Sequence, residues 1–180
     1  MRAAVYAILA LVALQRLVEV WYGERNTKAL KSRGAVEVGA AHYPLIVLLH
    51  AAWLVAIVVA LPPAPSIYLL ALVPFILLQL ARLWVIASLG PFWTTRIITL
   101  KDAPLIHRGP YRYVRHPNYL VVAGEIALLP LAFGEVGVAI VFFLLNAAML
   151  AWRIAEEDAA LAPRRTTPAL DGAGAPSAKS

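Results

Sequence analysis

Five apolar runs, each near the roughly 20 residues that a helix needs to cross about 30 Å of hydrocarbon, leave this chain little choice of solvent. They cover Ala3 to Tyr22, Tyr43 to Leu61, Ser66 to Leu89, Tyr119 to Phe133 and Gly137 to Ile154, the fourth being the shortest. Of the 180 residues, 62% are apolar and 14% charged. A soluble domain carries about a quarter charged, so much of the apolar surface here must face lipid. Leu61-Pro62-Pro63-Ala64-Pro65 breaks the second run from the third, and Gly134-Glu135-Val136-Gly137 separates the last two, so each pair reads as a tight helical hairpin. The expected fold is an all-α integral membrane protein with about five transmembrane helices.

A net charge of +6 elsewhere suggests nucleic acid, but here the basic residues sit in short segments between apolar runs. Arg25, Lys28, Lys31 and Arg33 follow the first run. Arg96, Lys101, Arg108, Arg112 and Arg115 precede the fourth, and Arg164, Arg165 and Lys179 lie in the tail. The two remaining loops carry no Lys or Arg. This alternation puts the N-terminus and both hairpin tips outside and the basic loops and C-terminus in the cytoplasm. No nucleic-acid partner is expected. Met1-Arg2 before an apolar run also fits a signal peptide, but the run continues through Gln15-Arg16-Leu17-Val18-Glu19 without a small-residue cleavage site. Residues 1–161 read as one membrane domain, and 162–180, rich in Pro, Ala, Gly, Ser and Thr, as a disordered cytoplasmic tail.

Ionisable groups at bilayer depth are costly and usually face a bundle interior or an aqueous cavity. The first run carries Gln15, Arg16 and Glu19, the third Gln79 and Arg82, the fourth Glu125, and the fifth Asn146 followed by Arg153, Glu156, Glu157 and Asp158. Most lie in the cytoplasmic half, which suggests a pocket open to the cytosol. Interhelical ion pairs and snorkelling are the plainer alternative. Zero cysteines remove thiolate chemistry. His42, His50, His107 and His116 show no close ligand pattern, so no metal is expected.

The densest chemistry lies in Leu105-Ile106-His107-Arg108-Gly109-Pro110-Tyr111-Arg112-Tyr113-Val114-Arg115-His116-Pro117-Asn118-Tyr119. Gly109-Pro110 is a turn, and Pro117 keeps His116 out of helix just before the fourth span. Such a junction suits an anionic group. A basic loop touching lipid phosphates is the simpler alternative, but it does not require so many rings. Arg153 and Glu157 are one helical turn apart and share a face, with Glu156 beside them.

Gly-Pro-Tyr-Arg-Tyr-Val-Arg-His-Pro-Asn-Tyr, then an apolar hairpin, then Arg153 with Glu156-Glu157 and Leu161, resembles the isoprenylcysteine carboxyl methyltransferase family of small membrane enzymes that use S-adenosylmethionine. The resemblance covers about residues 80 to 161. Gln15 to Glu19, and Arg33-Gly34-Ala35-Val36-Glu37 before His42-Tyr43-Pro44, are similar to a bacterial branch associated with methylating alkylpyrone or alkylresorcinol polyketides. The resemblance implies that Leu105, Ile106, Tyr111, His116, Pro117, Asn118 and Tyr119 line the cofactor site, that Glu157 reaches the same ligand, and that Arg153 meets the acceptor's anionic oxygen. Many relatives place Gly after the Tyr matching Tyr119, where this chain has Leu120, and continue past the Glu pair into an aromatic-rich segment that is missing here.

Methyl transfer from a sulfonium demands alignment and exclusion of water. A carboxylate or an acidic pyrone hydroxyl needs no strong base. A resorcinol does, and His116 and Glu156 are the candidates. The expected activity is therefore O-methylation of a lipophilic small molecule, a long-chain polyketide hydroxyl ahead of a prenylcysteine carboxylate. Phospholipid N-methylation is an enzymatic rival, and a small transporter or lipid-binding membrane protein a non-enzymatic one. A permeation path would spread polar residues over the full depth.

Overall fold

A computed structural model of the chain describes residues 1–100 and 108–165. Five α-helices follow in order: α1 Arg2–Lys31, α2 Tyr43–Ala60, α3 Leu69–Leu89, α4 Pro117–Ala132 and α5 Val136–Arg165. Two three-residue strands, β1 Val36–Val38 and β2 Ile97–Thr99, pair antiparallel with Glu37 opposite Ile98. The chain is an all-α integral membrane protein carrying this one small ribbon. Leu70, Leu80, Leu83 and Leu144 are exposed on the helix surfaces, which face membrane lipid.

Among the described residues, four helices are long and apolar enough to cross a membrane, and α4 is not one of them. With 16 residues it rises about 24 Å, short of the hydrocarbon thickness. It packs between α3 and α5 and buries Val121, Val122, Glu125, Ile126 and Leu129 along its length, so it is enclosed by the bundle rather than by lipid. All five apolar runs are therefore helical, four of them of spanning length. Pro117 opens α4 at the first helical position, where the missing N–H costs nothing.

The long helices overrun their apolar runs. α1 continues past Tyr22 to Lys31 because Gly23, Asn26, Thr27 and Leu30 keep a buried stripe going. Asn26 Nδ2 donates to the Trp93 carbonyl at 2.8 Å, and the Tyr22 ring stacks on Trp93. α5 likewise runs past Ile154 to Arg165 and takes in the first four residues, 162–165, of the expected tail; residues 166–180 lie outside the described part.

The core joins Val5, Leu9, Trp53, Ile57, Ile126 and Leu129 from α1, α2 and α4. Below it lies a charged layer. Arg82 forks onto Glu19, with Nη2 at 2.7 Å from Oε2, and reaches Glu125 at 2.9 Å through Nη1. Arg16 contacts Glu125 at 2.7 Å and Glu19 at 3.0 Å, while Gln79 and Gln15 donate to Glu125 and Glu19, each at 2.9 Å. These side chains pair with one another across α1, α3 and α4, leaving Arg16 Nε and Gln79 Oε1 without a hydrogen bond among the described residues. The expectation that they open into a pocket is thus corrected: they form the interhelical ion pairs that low dielectric demands.

Candidate active site

The polar groups that do converge lie at the N-terminal end of α4, around Tyr119, six residues and about 9 Å before Glu125. Arg153 comes from α5 and is buried there. Its Nε donates to the Tyr119 hydroxyl at 2.9 Å and its Nη2 to the Thr95 carbonyl at 2.8 Å. The Tyr119 hydroxyl in turn bonds Glu157 Oε2. One phenol therefore links the cation to the carboxylate. The guanidinium carbon also stands 5.7 Å from the Tyr119 ring centroid.

His116 stacks on Tyr119 with centroids 5.3 Å apart and planes at 17°. Its Nδ1 is 3.6 Å from Glu157 Oε2 and its Nε2 3.4 Å from Asp158 Oδ1. A histidine expected to help hold an anion instead faces two carboxylates, because α5 extends past the bilayer-length run and brings its acidic turn alongside. The N–H groups of Tyr119 and Leu120 both point at the His116 carbonyl, at 3.1 and 3.4 Å, which also reduces what the α4 terminus offers an anion.

Tyr111 sits on a 3₁₀ turn, Gly109–Arg112. Burial first, and the charge of Glu157 second, push its hydroxyl above the usual phenol range. The turn is fixed on α3: Arg108 Nε donates to the Ser88 carbonyl at 2.7 Å, and Gly109, at φ +59°, lies so close to Ser88 that a Cβ there would collide with it. Asn118 presents a buried Oδ1 with no hydrogen bond among the described residues. Pro117 is buried as the first residue of α4.

Tyr111, His116, Tyr119, Arg153 and Glu157 thus meet in one place. Glu156 does not join them. Its Oε1 accepts from Trp152 Nε1 at 3.3 Å and its Oε2 turns toward Gly39, on the other side of α5. Leu105 and Ile106 lie outside the described residues.

Sequence reading missed the other wall. The Thr95 carbonyl that holds Arg153 belongs to a backbone no motif announces. Thr95 Oγ1 also donates to the Tyr43 hydroxyl at 3.2 Å, and Arg96 lies over the Tyr43 ring at 4.0 Å. Arg96 Nη1 and Lys31 Nζ meet Glu37 at 2.8 and 2.6 Å. Burial alone would raise the Glu37 carboxyl, but hydrogen bonds and charge from Lys31 and Arg96 outweigh it and hold the group below its ordinary value. The His42-Tyr43-Pro44 motif was the available signal for this wall.

Between α1 and α2 lies an apolar cleft of about 340 Å³, lined by Tyr6, Leu9, Ala10, Ala13, Leu54, Val55 and Val58. Its lining residue Ala13 stands ten residues, about 15 Å, along α1 from Gly23, which lies against Thr95.

The sequence model of the isoprenylcysteine carboxyl methyltransferase (ICMT) family matches residues 69–163. The uncharacterized protein YpbQ of Bacillus subtilis (strain 168) is 36% identical over 160 residues, 87% of this chain and 95% of that one. An uncharacterized protein of Haemophilus influenzae is 28% identical over 144 residues, 76% of this chain and 83% of its own. No solved structure matches.

Proposed function

Because the chain belongs to the isoprenylcysteine carboxyl methyltransferase family of membrane methyltransferases, we propose that it moves a methyl group from S-adenosylmethionine to an oxygen of a lipophilic acceptor. The observation that carries this reading is the buried Arg153, gripped by Tyr119 and Thr95 beside the Glu157 carboxylate.

The residues present fit the cofactor. Glu157 and the unpartnered Asn118 Oδ1 are acceptors for a cationic ammonium, and the rings of Tyr111, His116 and Tyr119 offer flat surfaces for a base. Bound there, S-adenosylmethionine supplies an electrophilic methyl on a sulfonium. Arg153 orients the acceptor oxygen and stabilises its negative charge, and its fixed fork resists rotation. Tyr119 holds Arg153 and Glu157 in register. Enclosure by α3, α4 and α5 keeps water away from the reacting atoms.

The acceptor we favour is the hydroxyl of a long-chain alkylpyrone or alkylresorcinol, ahead of a prenylcysteine carboxylate. The apolar cleft between α1 and α2 supports a hydrocarbon-tailed acceptor. The site stands at the end of the bundle that carries the basic loops, which supports a cytoplasm-facing orientation in a bacterial plasma membrane. Titration of the purified protein with S-adenosylmethionine by calorimetry should show binding, and Glu157→Ala should weaken it by about tenfold or more. Absence of binding, or full methyl transfer by Glu157→Ala, overturns the reading.

A further inference from the structure

A second cluster stands on the opposite flank of Arg153. His42 is buried at 1% exposure in the 3₁₀ turn Ala40–His42, with its ring 5.6 Å from that of Trp152, the residue before Arg153. The charged groups that face it are Arg153 and Glu156 from α5 and Glu37 from β1. Its Nδ1 makes no hydrogen bond among the described residues.

Gly39 explains how the ring is seated. At φ +62° it occupies the left-handed region, and a Cβ there would run into the imidazole. The point that Cβ would occupy is 2.7 Å from His42 Nδ1 and 3.6 Å from Glu156 Oε2. Glycine at 39 therefore leaves room for the imidazole, with the Glu156 carboxylate near the same point. Glu156 is held from behind by Trp152 Nε1 on its other oxygen. The Glu156 charge near the imidazole favours the protonated ring that accepting a proton creates.

We propose that His42 is the proton acceptor for a hydroxyl-bearing methyl acceptor, with Glu156 its positioning residue. This rests on the methyltransferase reading above and narrows its substrate class to phenolic or enolic hydroxyls. As the acceptor oxygen bonds to the methyl carbon, its O–H bond breaks and the proton passes to His42 Nε2. The methyl–sulfur bond breaks with its electron pair staying on sulfur, which departs as a neutral thioether. The imidazolium then returns its proton to water. A carboxylate acceptor, already ionised, makes no use of this base.

The test compares a long-chain 5-alkylresorcinol with N-acetyl-S-farnesylcysteine as acceptors for the full chain in lipid nanodiscs, alongside calorimetric S-adenosylmethionine binding. With a histidine base, wild-type transfer to the resorcinol levels off above about pH 7.5; without one it climbs tenfold per pH unit toward the phenol's own value of about 10. His42→Gln should cost about 100-fold on the resorcinol, at least about tenfold more than on the carboxylate, with cofactor binding retained. Glu156→Gln should move the resorcinol midpoint to lower pH, and Glu156→Asp should restore part of it. A wild-type rate still climbing at pH 9, equal losses on both acceptors, or transfer to the carboxylate alone overturns the proposal and spares the methyltransferase reading. Should His42→Gln not fold, the wild-type profile decides by itself. No cofactor binding and no transfer to either acceptor overturns both.

Discussion

Arg153 owes its place to two neutral oxygens, one from a side chain and one from a backbone. A lysine ammonium is a point charge on a flexible stem and cannot reach the Tyr119 hydroxyl and the Thr95 carbonyl as one planar fork does. Arg153→Lys is therefore expected to lower kcat/KM for the acceptor by about 100-fold while S-adenosylmethionine binding, read by calorimetry, changes little. Tyr119→Phe removes the atom that touches both Arg153 and Glu157, so it should weaken cofactor binding by about tenfold and reduce turnover as well. Tyr119, Arg153 and Glu157 were legible as candidates through the resemblance of their motifs to the family, whereas helical spacing by itself only put Arg153 and Glu157 on one face. His116 was legible as a site residue, but its carboxylate neighbours were not, since they depend on how far α5 runs. Gly39 and Thr95 carry no local signature, and His42 carries only the His42-Tyr43-Pro44 motif. Their meaning arises only when the segments at 39–42 and 94–96 are brought against α5.

At the level of elements, apolar length foretold the helices, and the proline and glycine clusters foretold their breaks. The β1–β2 ribbon was invisible. Three residues on each side are too short for any period, and what joins Glu37 to Arg96 is a pairing between distant loops. The helix extensions were missed for another reason: past the bilayer-length run, their outer faces turn polar and resemble loop. The turn between α4 and α5 offers a pH test. Glu135 is buried there, neither carboxylate oxygen finds a hydrogen bond among the described residues, and burial pushes the group up to about 7. Its ordinary value is 4.5, so between these values the folded protein holds the extra proton. Stability from this group is full below the ordinary value and is lost as pH rises through about 7. Thermal unfolding in detergent between pH 5 and 8 should show that decline, and Glu135→Gln should flatten it.

On the scale of the whole molecule, the charged layer joins helices that apolar packing alone would let slide. Glu125 is fully buried and compensates both Arg16 and Arg82, so Glu125→Ala leaves two cations sharing the single carboxylate of Glu19 in low dielectric. The expected loss is about 3–5 kcal/mol, visible as a marked fall in melting temperature, whereas Arg153→Lys should leave melting nearly unchanged. The apolar excess predicted membrane burial and the scattered charges predicted something special at depth, but which charges pair internally and which serve the site depended on the packing of α4. The position of Arg153 along α5 bears on partitioning. Arg153 stands 17 residues into α5, about 25 Å from its start, within the roughly 30 Å of hydrocarbon. Each methylene drawn into water costs about 0.8 kcal/mol, so a long alkyl tail resists extraction strongly. A reaction centre sunk below the headgroups lets such a molecule be modified without leaving the bilayer, and turnover should then follow its concentration per unit of membrane rather than per unit of water.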